Sequence, residues 1–345
     1  MRILLIKMSS MGDVFHTFPA LSDAQANVPS LTVDWVVEEA FAEIPSWHPV
    51  VDKVYPIELR RWRKTPFSSK TRSEIKAFFE EINRTQYDLV LDAQGLYKSL
   101  WVAKKIEAPV YGMDFSSVRE PLVSLFYNHK IHVEKAQHAI TRLRELFSKA
   151  LNYSISPTSA IAYGLNTSDW KRPDLPWQAE PHMVFLHGTT WDTKCWPEEY
   201  WRELLQKICQ VGYKVILPWG TKEEQERSYR LQQGYEDCTW VPEQLISLND
   251  ITRMLKFSKA VVSVDTGLSH VAAALDVPMV VLYLVTDPGL VGAKGLHVKY
   301  LVSPVASKYL KQFKNSQQQA QSLERVGVTD VIESLHALKI EMEEK

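Results

Sequence analysis

The sequence predicts an α/β protein built from two doubly wound, Rossmann-like domains that face a central cleft. Three observations lead there. Short β-branched runs recur along the chain and alternate with amphipathic stretches of helical length, a pattern that builds parallel sheets with buried strands. Several of the runs end in a polar turn that carries glycine. With 345 residues the chain is long enough for about two domains.

The clearest unit is AVVSVDTGLSHVAAALDVPMVVLYL, residues 260–284. Residues 260–264 read as a strand, 265–267 as a turn, 268–276 as a helix stopped by Pro278, and 279–284 as a second strand. Such a turn lies at the carboxyl end of a strand and the amino end of a helix, where ligands bind in open α/β sheets. Free N–H groups and the helix dipole favour phosphate there, and Gly267 admits it close to the backbone. Asp265, Thr266 and His270 bring polar groups to the same crevice. Capping of the helix by Asp265 and Thr266 is the plain alternative.

In chain order, RILLIK (2–7) is a strand, 9–13 a turn, and 14–26 a helix softened by Pro19; 31–37 is the next strand. This turn holds Lys7, Ser9, Ser10, Gly12 and Asp13 at a sheet edge. Its lone glycine is not the dinucleotide fingerprint G-x-G-x-x-G. Asp13 can cap the helix, or it can take a proton from a hydroxyl. A strand at 51–57 leads into Arg60, Arg61, Trp62, Arg63 and Lys64. Four cations in five residues, interrupted by an aromatic, favour an anion-binding role over a solvated loop. A helix over 74–82, a strand over 87–91 and the turn Asp92-Ala93-Gln94-Gly95-Leu96 follow. A helix over 99–106, a short strand at 110–112, a helical stretch to 127 and an amphipathic helix over 139–150 complete the first domain, 1–155.

Residues 156–182 read as a linker, rich in Ser, Pro, Asn and Thr. The second domain, 183–325, opens with a strand and the loop HGTTWDTKCWP, in which Thr189, Thr190 and Lys194 offer hydroxyls and a charge to phosphate. A helix over 198–211, a strand over 213–217 and a helix that opens on Glu223, Glu224 and Glu226 come next. Acid in a first turn answers the helix dipole, or could hold a sugar hydroxyl. A helix at 248–257 precedes the 260–284 unit. Residues 302–325 are taken as partly irregular. A C-terminal helix within 326–345 could pack back on the first domain.

A net charge of −1 gives no global field for nucleic acid, so an electrostatic partner must meet a local patch. Three cysteines, Cys195, Cys209 and Cys238, lack C-x-x-C spacing. Their odd number argues against a disulfide framework and for a reducing compartment. No secretory h-region, no membrane-spanning run and no metal-ligand cluster is legible.

Taken together, MRILLIKMSSMGDVFHTFPAL, DWVVEE, PSWHP, RRWRK, DAQGLYKS, REPL, SVDTGLSHVAAALD and TDPGL resemble the lipopolysaccharide inner-core heptosyltransferases of glycosyltransferase family 9, over nearly the whole chain. The resemblance implies the GT-B fold and transfer of L-glycero-D-manno-heptose from ADP-heptose to a Kdo residue of Kdo-lipid A. It implies inversion at the anomeric carbon, no metal cofactor, and a cytoplasmic enzyme held peripherally on the anionic inner-membrane surface. By the same resemblance Asp13 is the base and Lys194 offsets charge on departing ADP. Thr189, Thr190, Glu224, Asp265, Thr266, Gly267 and His270 meet the donor. Ser10, Gly12, Arg60, Arg61, Arg63, Lys64 and Arg119 meet the acceptor.

The chain departs from the family pattern at Gly188, where Ala is expected, and at Trp191 and Cys195, where polar or basic residues are. It departs again at YLVTDPG, which stands in place of a Gly-Pro-Thr-Asp turn. RRWRK and DAQGLYKS favour the enzyme that adds the first heptose over the one that adds the second. Other readings are a sugar-nucleotide epimerase of the same fold, a nicotinamide oxidoreductase lacking its glycine motif, and a non-catalytic membrane-surface protein.

Overall fold

In the computed structural model the residues outside 157–158, 178–179 and 343–345 are described. Parts of the expected linker and the last residues of the expected final helix lie outside them. The chain divides into two units, Met1–Ser168 and Asp169–Lys345, so the boundary falls inside the expected linker.

The first unit runs β1 (Arg2–Ile6), α1 (Met11–Phe15), α2 (Phe18–Asn27), β2 (Thr32–Glu38), β3 (Val51–Ile57), α3 (Leu59–Trp62), α4 (Ser69–Ile82), β4 (Leu89–Asp92), α5 (Tyr97–Ala103), β5 (Val110–Met113), β6 (His129–Ile131) and α6 (Ala139–Ala150). Its six strands are parallel in the order β3-β2-β1-β4-β5-β6. The apolar runs are continuous because both faces are covered: Ile3, Leu4, Leu5 and Ile6 are all fully buried.

The second unit runs β7 (His182–Leu186), α7 (Glu198–Gln210), β8 (Lys214–Ile216), α8 (Lys222–Gln232), β9 (Thr239–Trp240), α9 (Leu248–Lys256), β10 (Ala260–Val264), α10 (Gly267–Ala274), β11 (Met279–Tyr283), α11 (Pro288–Val291), β12 (Val298–Val302), α12 (Ser316–Ser322) and α13 (Val328–Ala337). Its parallel order is β12-β11-β10-β7-β8-β9. Each sheet therefore reverses strand order once, between β1 and β4 in the first unit and between β7 and β10 in the second. A crevice opens at such a reversal, at the carboxyl ends of the two strands.

Several expectations are corrected. The helix expected over 14–26 begins at Met11 and breaks at His16 and Thr17; Pro19 sits in the first turn of α2, where its missing N–H costs nothing. Strands β6, β9 and β12 were not expected. They are sheet-edge strands, and their half-exposed or polar residues leave no apolar run to read. The last helix ends at Ala337. Val328, Val331 and Leu335 bury their side chains in the second unit's own core, with Trp196, Trp201 and Leu204. Cys209 and Cys238 form a disulfide that joins the end of α7 to the residue before β9, across 29 positions. An odd cysteine count does not preclude one bridge where two Cα atoms lie 5.8 Å apart. Closing a loop of that length is worth about 3–4 kcal/mol in the chain-entropy view.

Each unit buries a neutral histidine. His48 accepts the Val50 N–H at Nδ1 and contacts Ser22 Oγ at 3.0 Å through Nε2; burial lowers its pKa to about 4. His187 pairs with Ser228 Oγ at 2.9 Å, and burial next to Arg227 lowers its pKa to about 3. The unfolded chain titrates near 6.5, so it binds more protons than the fold below that pH. Stability is therefore complete above pH 6.5 and drains away as pH falls toward these depressed values. Melting scans should show Tm dropping steadily from pH 6.5 to about pH 4.5, with His187→Gln flattening the slope. A Tm indifferent to pH over that range would contradict buried neutral imidazoles.

Candidate active site

In the first unit the turn after β1 is fixed by the turn after β4. Gln94 Oε1 accepts the Met8 and Ser9 amides at 2.9 and 3.1 Å. Asp92 is buried beneath, taking the Gln94 and Gly95 amides on one oxygen and the Ser99 and Tyr127 hydroxyls on the other. Burial pushes its pKa up. Gly95 has φ +67°, and a Cβ there would lie 2.5 Å from Val118, so only glycine fits this turn.

On this support stands Asp13, in the first turn of α1. Its Oδ2 accepts the Ser10 amide at 2.9 Å and the Ser10 hydroxyl at 3.1 Å. The capping role is thus real, yet the side chain keeps 40% of its surface open. Lys7 Nζ lies 3.5 Å from Oδ1 and is itself nearly buried. Crowding raises the Asp13 pKa, but the Lys7 charge, the Ser10 hydrogen bonds and nearby His16 outweigh it and hold the group at about 2. Asp13 is therefore a carboxylate at any neutral pH. Gly12 is buried beside it.

The basic cluster divides. Arg61 is already engaged by Glu58 and, at 2.6 Å, by Glu74, and Trp62 is buried with its Nε1 donating to Glu74 at 3.0 Å. Arg60, Arg63 and Lys64 are exposed, and among the described residues none forms an ion pair. The Arg60 amide donates to Glu38 at 3.2 Å. Arg119 is exposed beside Gly95. Sequence reasoning missed Lys98, whose Nζ donates to Ser9 Oγ at 2.6 Å. Burial lowers its pKa, with Glu38, Arg60, Asp13 and Lys7 all within electrostatic reach. The signal was present in DAQGLYKS, but only the β1–β4 pairing shows that its lysine meets the Ser9 turn.

In the second unit Asp265 directly follows β10 and gathers the donor candidates. Its Oδ2 receives Lys194 Nζ at 2.6 Å and Thr286 Oγ1 at 2.7 Å, and its carbonyl accepts the Thr189 hydroxyl at 2.9 Å. Lys194 and Asp265 are only 14% and 9% exposed. Thr190 is exposed on the same loop, Thr266 stands at the N-cap position of α10 without a side-chain capping bond, Gly267 opens the helix, and His270 is buried within it. The loops after β7, β10 and β11 are neighbours because those strands are, so hydroxyls, a lysine and a helix N-terminus share one sheet edge.

Two departures now have physical reasons. Trp191 lies under Lys194, at 4.7 Å from ring centroid to Nζ, and under Lys311, at 5.3 Å, so the indole carries two cations. Lys311 was missed because residues 302–325 have no periodicity; the Thr193 hydroxyl, bonded to the Leu310 carbonyl at 2.6 Å, is what brings the segment in. Cys195 lies at the other end of that loop, with Arg227 donating both to its Sγ and to the His187 carbonyl at 3.3 Å.

Glu224 does cap its helix, accepting the Gly220 and Thr221 amides at 2.7 and 3.2 Å. Its carboxylate also lies over the loop after β7: a Cβ on Gly188 would come within 2.2 Å of Oε1. With glycine at 188 the Glu224 carboxylate rests against the loop, and an alanine there would turn this flexible side chain aside. Gly188→Ala should weaken ADP binding about tenfold, about 1.4 kcal/mol, by titration calorimetry. Gly220→Ala, whose Cβ would stand 3.4 Å from Oε2, should bind as the parent does. Equal effects of the two changes would refute the packing of Glu224 on Gly188.

Residues 75–322 match the family described as Glycosyltransferase family 9 (heptosyltransferase). The chain is 50% identical over 299 residues to lipopolysaccharide heptosyltransferase 1 of Escherichia coli K12, covering 86% of this chain and 91% of that one. It is 48% identical to the Pseudomonas aeruginosa heptosyltransferase 1, over 86% and 82% of the two chains. Among solved structures, E. coli heptosyltransferase WaaC with ADP superposes with a TM-score of 0.87 at 43% identity, covering 98% of this chain and all of that one. WaaC with ADP-2-deoxy-2-fluoro heptose gives 0.83 at the same identity, over 98% and 99% of the two chains. The two sheets with their crevices thus have the GT-B fold, and the chain belongs to glycosyltransferase family 9 as a heptosyltransferase of lipopolysaccharide core biosynthesis.

Proposed function

We propose that the protein transfers L-glycero-D-manno-heptose from ADP-heptose to a Kdo hydroxyl of Kdo-lipid A, with inversion and without a metal ion. The observation that carries this reading is the content of the two crevices: an ionised, lysine-held carboxylate in one and a hydroxyl-lysine cradle at a helix N-terminus in the other. The WaaC complex with a fluorinated ADP-heptose supports the choice of donor, and the relatives named lipopolysaccharide heptosyltransferase 1 support transfer within lipopolysaccharide synthesis.

In the reaction the acceptor oxygen attacks the anomeric carbon of the heptose. The bond from that carbon to the diphosphate oxygen breaks, and ADP leaves with the electron pair. The hydroxyl proton passes to Asp13. Charge gathering on the diphosphate is met by Lys194, by the Thr189 and Thr190 hydroxyls, and by the amides at the start of α10 beside Thr266 and Gly267. Glu224 holds the ribose, and Asp265 and His270 line the heptose side.

Kdo is a sugar acid, so Lys98, Arg60, Arg63, Lys64 and Arg119 provide its counter-charges, while Arg61 holds α3 in place through Glu58 and Glu74. A carboxylate that draws on Lys7 and Lys98 relaxes their hold on Asp13. The Asp13 pKa then rises toward a value suited to a base just as the acceptor arrives.

The enzyme works on the cytoplasmic side of the inner membrane, in peripheral contact with its anionic surface. No helix among the described residues is long and apolar enough to cross a membrane.

The test is turnover of purified protein on ADP-heptose and Kdo-lipid A, with and without a chelator. Asp13→Ala should lose about a hundredfold or more in kcat while its Kd for ADP-heptose stays within about twofold. The parent should be untouched by the chelator. Full activity in Asp13→Ala would overturn the assigned base, and loss of parental turnover on chelation would overturn the metal-free mechanism.

A further inference from the structure

The β5–β6 crossover of the first unit holds a two-turn 3-10 helix, Pro121–Phe126, with an unusual surface. Val123 and Ser124 are buried and fix it to the sheet. Leu122, Leu125 and Phe126 point outward, at 53, 57 and 54% exposure. A 3-10 helix repeats every three residues, so Leu122 and Leu125 share one face, and Phe126 follows at its end. Phe115, on the turn just before, is 55% exposed. Across the Glu120 carboxylate, which accepts the Tyr97 amide at 2.5 Å, this surface joins α5, where Tyr97 and Trp101 are also exposed.

A cluster of large apolar side chains of this kind needs a partner, because isolated soluble surfaces rarely gather them. The charges around it indicate which. Residues 97–126 carry Lys98, Lys104, Lys105 and Arg119 against Glu107, Asp114 and Glu120. Of these carboxylates Glu120 is tied to the Tyr97 amide, and Asp114 to Ser116, Ser117 and His132. Lysines and an arginine, amphipathic aromatics and a short apolar ridge are the composition of a segment lying in a bilayer interface. Arg119, two residues before the 3-10 helix, is one of the cations assigned to the acceptor, so the ridge is continuous with the acceptor side of the first crevice.

We propose that the 3-10 ridge Leu122, Leu125 and Phe126, flanked by Phe115, Tyr97 and Trp101, inserts into an anionic bilayer and seats the first unit over its lipid-anchored acceptor. The inference rests on the reading of the acceptor as a lipid, but its test needs no acceptor. The protein is floated with vesicles of equal parts phosphatidylcholine and phosphatidylglycerol that contain no Kdo lipid. The parent should float with the vesicles, and L122S/L125S/F126S should need about tenfold more lipid for half-binding. The same variant should keep the parental kcat/KM on an acceptor stripped of its acyl chains and lose about tenfold on the intact acceptor in vesicles.

Equal flotation of parent and variant, or a parent that stays with the soluble fraction, would overturn the proposal. So would a parent that is dimeric in solution and a variant that is monomeric with unchanged vesicle binding, since the ridge would then face a second copy. Failure of the catalytic reading looks different: vesicle binding would still be lost in the variant while neither protein turned over Kdo-lipid A.

Discussion

The second unit's chemistry depends on one carboxylate. Asp265 holds Lys194 in a nearly dry ion pair, takes the Thr286 hydroxyl on the same oxygen, and offers its carbonyl to Thr189. Breaking such a buried pair by removing one partner costs about 3–5 kcal/mol. Asp265 therefore fixes the position of the Lys194 side chain at the sheet edge. In the mechanism we propose, the donor diphosphate competes for that lysine because it brings more negative charge and the helix N-terminus beside it favours anions. The indole of Trp191 supports Lys194 from beneath and extends the positive region to Lys311.

The first unit uses the same device with the signs reversed. There the carboxylate is Asp13, the base we propose, and the attendant is the ammonium of Lys7. In that proposal a base held at so low a pKa is weak in the free protein, and an acceptor carboxylate that draws on Lys7 and Lys98 strengthens it. Coupling of base strength to acceptor binding suits a transferase, since water entering alone finds a poor proton acceptor and the donor is spared hydrolysis.

Much of this was legible in the sequence because buried parallel strands advertise themselves. The runs at 2–7, 51–57 and 260–264 gave strands within a residue of those found, and each polar turn fell at a carboxyl edge. What was not legible is spatial. No local pattern says that Gln94 grips the Ser9 amide, that Lys98 reaches Ser9, or that Lys311 shares a ring with Lys194. Gly188 looked like a departure until Glu224 was seen resting on it. Arg61 looked like the other cations of its run until Glu58 and Glu74 claimed it. Edge strands such as β9, two residues long, lie below what periodicity can detect, and cysteine parity missed the Cys209–Cys238 bridge.

The Asp265–Lys194 corner is tested most directly by a crystal structure of this protein with ADP-2-deoxy-2-fluoro heptose. The diphosphate should lie between the Thr189–Thr190 turn and the first amides of α10, with Lys194 Nζ within hydrogen-bond distance of a phosphate oxygen. A diphosphate bound elsewhere, with Lys194 still held by Asp265 alone, would contradict it.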